Sequence, residues 1–283
     1  VNLSLRQIKS RISSVRNTGK VTGAMELVAL SKLKILQANL FESKSFCSSL
    51  LSMVNNILTG RESYSHPLLA QKPEKNIALL VLTSDTGLCG SYNNLVLNKS
   101  DKFIADNKEK NLAITCIGRK GGMHFRRTHA PVAKQIIGLS SQNIVDMSKK
   151  ISGELTKDFM DGKLDAVYAV YTKYESVVDQ HVSVEKILGI ETPAGKKIEY
   201  IFEPRANETL DKLLPIHVAY KFYSVLLNSL ICENYLRTVA MKQATTNAKD
   251  LLDELVLWRN KVRQYNITKE ILEVVSSADA LKG

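Results

Sequence analysis

An apolar or small residue recurs through Leu5, Ile8, Ile12, Val15, Thr18, Thr22, Met25, Ala29, Leu33, Leu36 and Leu40, in steps of three and four. The same rhythm runs through Leu230, Asn234, Arg237, Met241, Ala244, Ala248, Leu251, Leu255, Trp258, Val262, Tyr265, Lys269 and Leu272, with no proline after Pro215 and no glycine between Gly195 and Gly283. A repeat of about 3.5 residues held this long predicts two helices wound as a left-handed supercoil. At about 1.5 Å per residue the second helix reaches on the order of 100 Å, too long to pack inside a domain of this size. The expected architecture is therefore a projecting rod made from both ends of the chain, running antiparallel, with a compact body between them. Such a shape reads as a mechanical part more readily than as a catalyst.

The body shows a different period. Asn76 to Thr83 and Leu112 to Ile117 are continuous apolar runs, as expected of strands covered on both faces. Val132 to Ile137, Leu164 to Tyr174 and Val182 to Leu188 read as further strands. Helical sequence covers Asn93 to Asn107 and Ile144 to Met160, the latter with Asn143 as N-cap and Gly162 just past its end. A further short helix is expected between the second and third strands. This alternation predicts an α/β fold, with helices on the faces of a sheet. The domain reading is 1–60 for the first coiled-coil helix, 70–207 for the α/β body and 208–283 for the second coiled-coil helix. Breaks fall at Ser63 to Glu74 and Pro193 to Asn207, and Pro215 is expected in or near the first turn of the last helix.

Charge is unevenly placed. The net charge of +11 includes eight basic side chains in residues 1–57, opposed only by Glu26 and Glu42. The first helix should therefore favour an acidic partner, whether protein, nucleic acid or anionic lipid, or else carry a solvated basic face. No apolar run is long enough to span a bilayer and no charged-then-apolar leader opens the chain, so direct membrane insertion is not expected. Cys47, Cys89, Cys116 and Cys232 lie far apart without metal-site spacing, and His66, His124, His129, His181 and His217 are scattered. Structural thiols and no metal are expected.

The loop Thr83 to Asn93 sits where a doubly wound sheet would hold phosphates. Gly87 and Gly90 are its only glycines, so a three-glycine fingerprint is missing, and the chain has no Gly-Lys-Ser or Gly-Lys-Thr. A tight turn between strand and helix is the better reading, and no cofactor is expected. Glu191, Glu199 and Glu203 have no partner base, and no metalloprotease or hydrolase motif occurs. An enzyme acting alone is not expected.

Three separated blocks resemble the γ subunits of F-type ATP synthases, over essentially the whole chain. These are Ile8-Lys9-Ser10-Arg11-Ile12 through Ser31-Lys32, then Ser84-Asp85-Thr86-Gly87-Leu88-Cys89-Gly90, then Ala240-Met241-Lys242 through Ile271. The resemblance implies an antiparallel helical shaft on a Rossmann-like foot, turning inside a ring of α and β subunits. The foot would bind the ε subunit (δ in mitochondria) and rest on the membrane c-ring, with no nucleic acid as partner. Catalytic sites would lie in the partners. Location would be peripheral, on the cytoplasmic face of a bacterial plasma membrane or the matrix side of the mitochondrial inner membrane. The resemblance also implies partner contacts at Lys20, Met25 and Lys32, facing an acidic lever loop of β, and at Arg237, Gln264 and Thr268, near the β catch loop. Ala278, Ala280 and Leu281 would form an apolar tip.

This sequence departs from the family pattern in places. Thr86 stands where the family loop has an arginine that pairs with an acid of the ring. Gly19 and Gly23 interrupt the first helix, each costing about 1 kcal/mol of helix stability relative to alanine. One turn apart, they would either admit a close neighbour or create a compliant spot. Alternative readings are a specialised F1-like ATPase that does not make ATP, a basic coiled-coil nucleic-acid-binding protein, and a nucleotide-dependent enzyme on the central sheet.

Overall fold

The computed structural model describes residues 4–58, 66–69, 72–176, 179–189 and 206–280. Glu191, Glu199, Glu203 and Leu281 lie outside them, as do parts of the stretches Ser63 to Glu74 and Pro193 to Asn207. The chain divides into two compact units, one of Val1–Ala29 with Thr238–Gly283 and one of Leu30–Arg237. The first is a pair of helices and the second contains the sheet. The division takes 30–69 and 208–237 into the α/β body, because both helices contribute to its core.

The two long helices are α1 (Leu5–Leu58) and α5 (Ala206–Ala280). Between them run β1 (Asn76–Leu82), α2 (Tyr92–Asp106), β2 (Asn111–Ile117), α3 (Arg119–Arg127), β3 (Val132–Ile136), α4 (Ile144–Met160), β4 (Ala166–Tyr174) and β5 (Gln180–Leu188). The strands form one sheet in the order β3-β2-β1-β4-β5, parallel except for the antiparallel edge strand β5. Chain order steps outward from β1 to β3 and then returns to the other side of β1, the doubly wound pattern.

Strand alternation sends successive side chains to opposite faces. Leu79, Val81, Ile114 and Cys116 pack with Val96 and Leu97 of α2 and Phe125 of α3. Ala78, Leu80 and Leu82 face the other way, in a core with Ile151 and Phe159 of α4, Leu33 and Leu36 of α1, and Val218, Phe222 and Leu226 of α5. Both sheet faces are thus covered, which is why the strands read as unbroken apolar runs.

In the two-helix unit, Ile8, Ile12 and Val15 pack against Leu252, Leu255, Trp258 and Val262. Farther along α1, Thr22 accepts a 2.8 Å hydrogen bond from Thr245. The partners move back along α5 as α1 advances, so the pair is antiparallel. Two of the expected seam positions on α1 are displaced by one residue. Thr18 and Met25 are exposed, whereas Gly19 and Glu26 are half-buried. On α5, Leu252 replaces Leu251 in the seam, and Tyr265, Lys269 and Leu272 are exposed. An untwisted helix repeats at 3.6 residues and drifts from a 3.5-residue register. Gly19 explains part of the close approach, since a methyl group built there would lie 3.4 Å from Ala248 Cβ. The close-neighbour reading of that glycine therefore holds.

Pro215 is a correction. It lies inside α5, nine residues beyond its first residue Ala206, rather than in the first turn. Its ring deprives the Asp211 carbonyl of its usual donor, but Asp211, Pro215 and Ile216 are exposed, so water can serve the freed carbonyl. Leu214 and Val218 beside Pro215 are buried in the core and hold the helix in place. Asn143 occupies the N-cap position of α4 without a side-chain cap; its amide instead bridges Ser140 N–H and the Gly138 carbonyl. Gly162 closes that helix at φ +76°, with its N–H on the Phe159 carbonyl, as a left-handed C-terminal turn requires.

Candidate functional site

The loop after β1 is fixed by nearly every polar group it owns. Thr83 Oγ1 donates to the Ile117 carbonyl and accepts from Gly121 N–H. The Asp85 carboxylate accepts from the N–H groups of Arg119 at 3.0 Å and Gly138 at 2.7 Å, tying the loop to the starts of two neighbouring segments. Ser84 Oγ donates to the Thr86 carbonyl, while the Asn93 amide donates to Ser84 Oγ and Cys89 Sγ. Gly90 takes φ +58°, whereas the other left-handed residue of the turn is Leu88 at φ +62° rather than Gly87. The tight-turn reading needs a glycine at position 90 only.

Arg237 is drawn into this loop. Its Nη1 pairs with Glu233 at 2.8 Å, one turn earlier on α5. Its Nη2 donates to the Thr86 carbonyl at 3.2 Å, Thr86 Oγ1 at 3.3 Å and the Gly87 carbonyl at 3.4 Å. The pair is largely buried, Arg237 at 15% and Glu233 at 14% side-chain exposure. Burial holds the Glu233 carboxyl above the usual carboxylate range, against the pull of Arg237. Arg237 therefore does not snorkel to solvent, and in the chain alone its guanidinium is engaged within the fold. Thr86 supplies two of these three acceptors. Beside the pair lies a cavity of about 210 Å³ at the carboxyl ends of β1 and β2, lined by Lys32, Thr83, Asp85 and Ser140 among others.

The six expected contact residues fall in two places. Lys32 and Arg237 belong to the sheet-containing unit and line this same cavity. Lys20, Met25, Gln264 and Thr268 belong to the two-helix unit, and all four are exposed. That unit does not bring them together: Gly23 faces Thr245, which is nineteen residues before Gln264, or roughly 30 Å of helix. Met25 is 40% exposed. Thr268 Oγ1 bonds the Gln264 carbonyl within its own helix. Ala278 is exposed, and the side chain of Ala280 lies outside the described residues.

Sequence reasoning missed the role of Glu233. Its four-residue spacing from Arg237 was the available signal. The Thr86–Arg237 contact, 151 residues apart, had none. Cys116 and Cys232 are buried thiols, pushed up to about 11 and about 12 by desolvation, which fits structural thiols.

The family model described as ATP synthase matches residues 4–281. The chain is 35% identical over 283 residues to the ATP synthase γ chain of Pelotomaculum thermopropionicum, covering 99% of each. It is 37% identical to that of Dehalococcoides mccartyi strain CBDB1, covering 98% of this chain and 99% of that one. Among solved structures, a chain of the Euglena gracilis mitochondrial ATP synthase (OSCP/F1/c-ring, rotational state 3) superposes with a TM-score of 0.69 at 15% identity, covering 98% of this chain and 94% of that one. A chain of the Tetrahymena thermophila central stalk and c-ring gives 0.59 at 21% identity, covering 79% of this chain and 99% of that one. These structures speak for the fold. The sequence matches place the chain in the ATP synthase family, and within it the chain belongs to the γ chains, the central-shaft subunits of F1.

Proposed function

We propose that this γ chain turns inside a ring of α and β subunits without catalysing a reaction itself. Its sheet-containing unit would bind the ε subunit (δ in mitochondria) and rest on the membrane c-ring. Ion flow through the membrane sector turns the rotor, and the asymmetric shaft favours a different conformation of each catalytic site at each angle. It acts as a ligand whose differential contacts shift its partners' equilibria. It would sit at the membrane periphery, on the cytoplasmic face of a bacterial membrane or the matrix side in mitochondria. No helix among the described residues is long and apolar enough to cross a membrane.

The observation that supports this reading is apolar surface that helix pairing leaves uncovered. Met25, Leu27 and Val28 on α1 are 40%, 68% and 56% exposed, and every described residue from Arg263 to Ala278 is exposed, including Tyr265, Leu272 and Val274. Contiguous exposed apolar surface on a soluble chain signals a partner. Lys20, Met25, Lys32, Gln264 and Thr268 are the proposed direct contacts, and Arg237 contributes through the loop it holds. Replacing Met25 with Asp tests this. Because the residue is exposed and off the seam, stability should move by about 0.5 kcal/mol or less. Coupled ATP turnover of the reconstituted complex should fall at least about threefold, equivalent to roughly 0.7 kcal/mol of lost coupling. Unchanged coupling would remove Met25 from the contact set.

A further inference from the structure

The cavity beside the Arg237–Glu233 pair lies at the carboxyl ends of β1 and β2, where doubly wound sheets hold their ligands. A phosphate group has no place to sit there. The N–H groups that open α3 are spent inside the fold: Arg119 on the Asp85 carboxylate, Lys120 on the Ser84 carbonyl and Gly121 on Thr83 Oγ1. Asp85 thus occupies the position that an anion would take.

What the cavity leaves unspent is a separated pair of opposite charges. Glu233 is largely buried and shares its counterion, because Arg237 also serves Thr86 and Gly87. Its carboxyl stays above the usual range, which marks a charge that burial penalises more than Arg237 offsets. Lys32, exposed on α1, attracts Glu233 through space yet forms no ion pair among the described residues. Lys32 and Arg237 balance Asp85 and Glu233, so the formal charges of the lining sum to zero. Leu36, Leu139 and Leu230 add an apolar wall, and the Ser140 and Ser141 hydroxyls carry no hydrogen bond among the described residues. At about 210 Å³ the cavity is smaller than the roughly 300–1,000 Å³ of a drug-sized site, so its ligand is small.

We infer that this cavity binds a small zwitterion, an α-amino acid with a short uncharged side chain. Its ammonium approaches Glu233, its carboxylate faces Lys32 and the serine hydroxyls, and its side chain rests on the leucine wall. Zero net charge in the lining selects against phosphates and polyamines alike. Bound between Lys32 on α1 and Glu233 on α5, the ligand bridges the two long helices within the body they share. The site belongs to the chain alone, so the inference goes beyond the rotor reading and does not depend on it.

Calorimetric titration of the isolated full chain with L-valine and L-serine tests it, with isobutyrate, isobutylamine and inorganic phosphate as controls. At least one amino acid should bind saturably with a Kd at or below about 1 mM, and every control at least about tenfold more weakly. Lys32→Gln and Glu233→Gln should each weaken binding at least about tenfold. Because Lys32 is exposed, Lys32→Gln should melt as the unaltered chain does, and it keeps the test decisive if Glu233→Gln folds poorly. No saturable binding of either amino acid up to about 10 mM, or undiminished binding by Lys32→Gln, overturns the inference. Isobutyrate or phosphate binding as tightly as the amino acids also overturns it, in favour of a plain anion site. Isobutylamine binding as tightly overturns it in favour of a plain cation site. Each of these failures leaves the rotor reading intact.

Discussion

Helix α5 passes through two environments, and the contrast explains how one chain makes both a rigid body and a working surface. Within the sheet-containing unit its consecutive residues Val225, Leu226 and Leu227, then Leu230, Ile231 and Cys232, are all buried, so the helix is covered on several sides. Within the two-helix unit, among the described residues, only Met241 and Leu255 of α5 are buried, matched on α1 by Ile8, Ile12, Thr22 and Ala29. The body is specified by volume and close contact. The helix pair is specified by a narrow seam, and the rest of its circumference is left for partners. Substitutions should therefore be judged by different rules in the two units.

Glycines give the sharpest version of that difference. Gly118, between β2 and α3, sits at φ +99°, and a methyl group built on it would meet the Thr83 carbonyl oxygen at 2.1 Å. Backbone, rather than a movable side chain, blocks the space. Gly118→Ala should destabilise the sheet-containing unit by about 3 kcal/mol or more, combining left-handed strain with the clash. Denaturant unfolding of the full chain measures it. A loss below 1 kcal/mol would mean that the body tolerates change as the helix pair does.

The reach of the sequence follows the same line. Long periods and buried runs were legible because burial repeats over many residues: β1, β2, β4 and α4 fall within two residues of their expected bounds. The antiparallel pairing and the α/β sheet were equally readable. The seam at Thr18 and Met25 slipped by one because small residues such as Gly19 carry no hydrophobic signal. Helix α3 could not be bounded, as its nine residues contain Gly121 and Gly122, poor helix formers retained beside Thr83 and Gln135. At the site, Lys20, Met25, Gln264 and Thr268 are exposed. The inward turn of Arg237 was invisible because its acceptors lie 150 residues away.

Electrostatics sharpens the comparison next. In the body, Glu74 accepts from Lys186 at 2.8 Å, Tyr168 at 2.8 Å and Lys110 at 3.2 Å. Desolvation pushes its carboxyl up, but these three donors together outweigh it and lower the pKa from 4.5 to about 2. Because the folded value lies below the unfolded one, the stabilisation is complete above pH 4.5 and is lost as pH falls toward 2. After allowance for solvent screening, Glu74→Gln should cost about 1–2 kcal/mol at neutral pH. The gap between variant and unaltered chain should close on acidification. The exposed pair Lys269–Glu273 in the helix pair, at 3.5 Å and 63% exposure for both side chains, should show no comparable pH dependence. A gap that stays constant down to pH 2 would show that Glu74 acts by packing rather than charge.

The smallest expected effect has the opposite sign. Gly23 lies in mid-helix in α1, where a methyl group would meet Thr245 Cγ2 at 3.9 Å, an ordinary contact. Nothing in its backbone demands glycine, since it is absent from the positive-φ residues. Gly23→Ala should therefore stabilise the helix pair by about 0.5–1 kcal/mol, through lower unfolded-state entropy and better helix propensity. At Gly19 the corresponding contact with Ala248 is 3.4 Å, so alanine there should gain less, as seam packing begins to offset propensity. Hydrogen exchange across 15–30 and 238–255 would read both. If Gly23→Ala stiffens the helices but lowers coupled turnover, the glycine serves compliance in a shaft that must twist under load. If turnover is unchanged, Gly23 is a tolerated weakness in a unit whose seam is narrow enough to permit it.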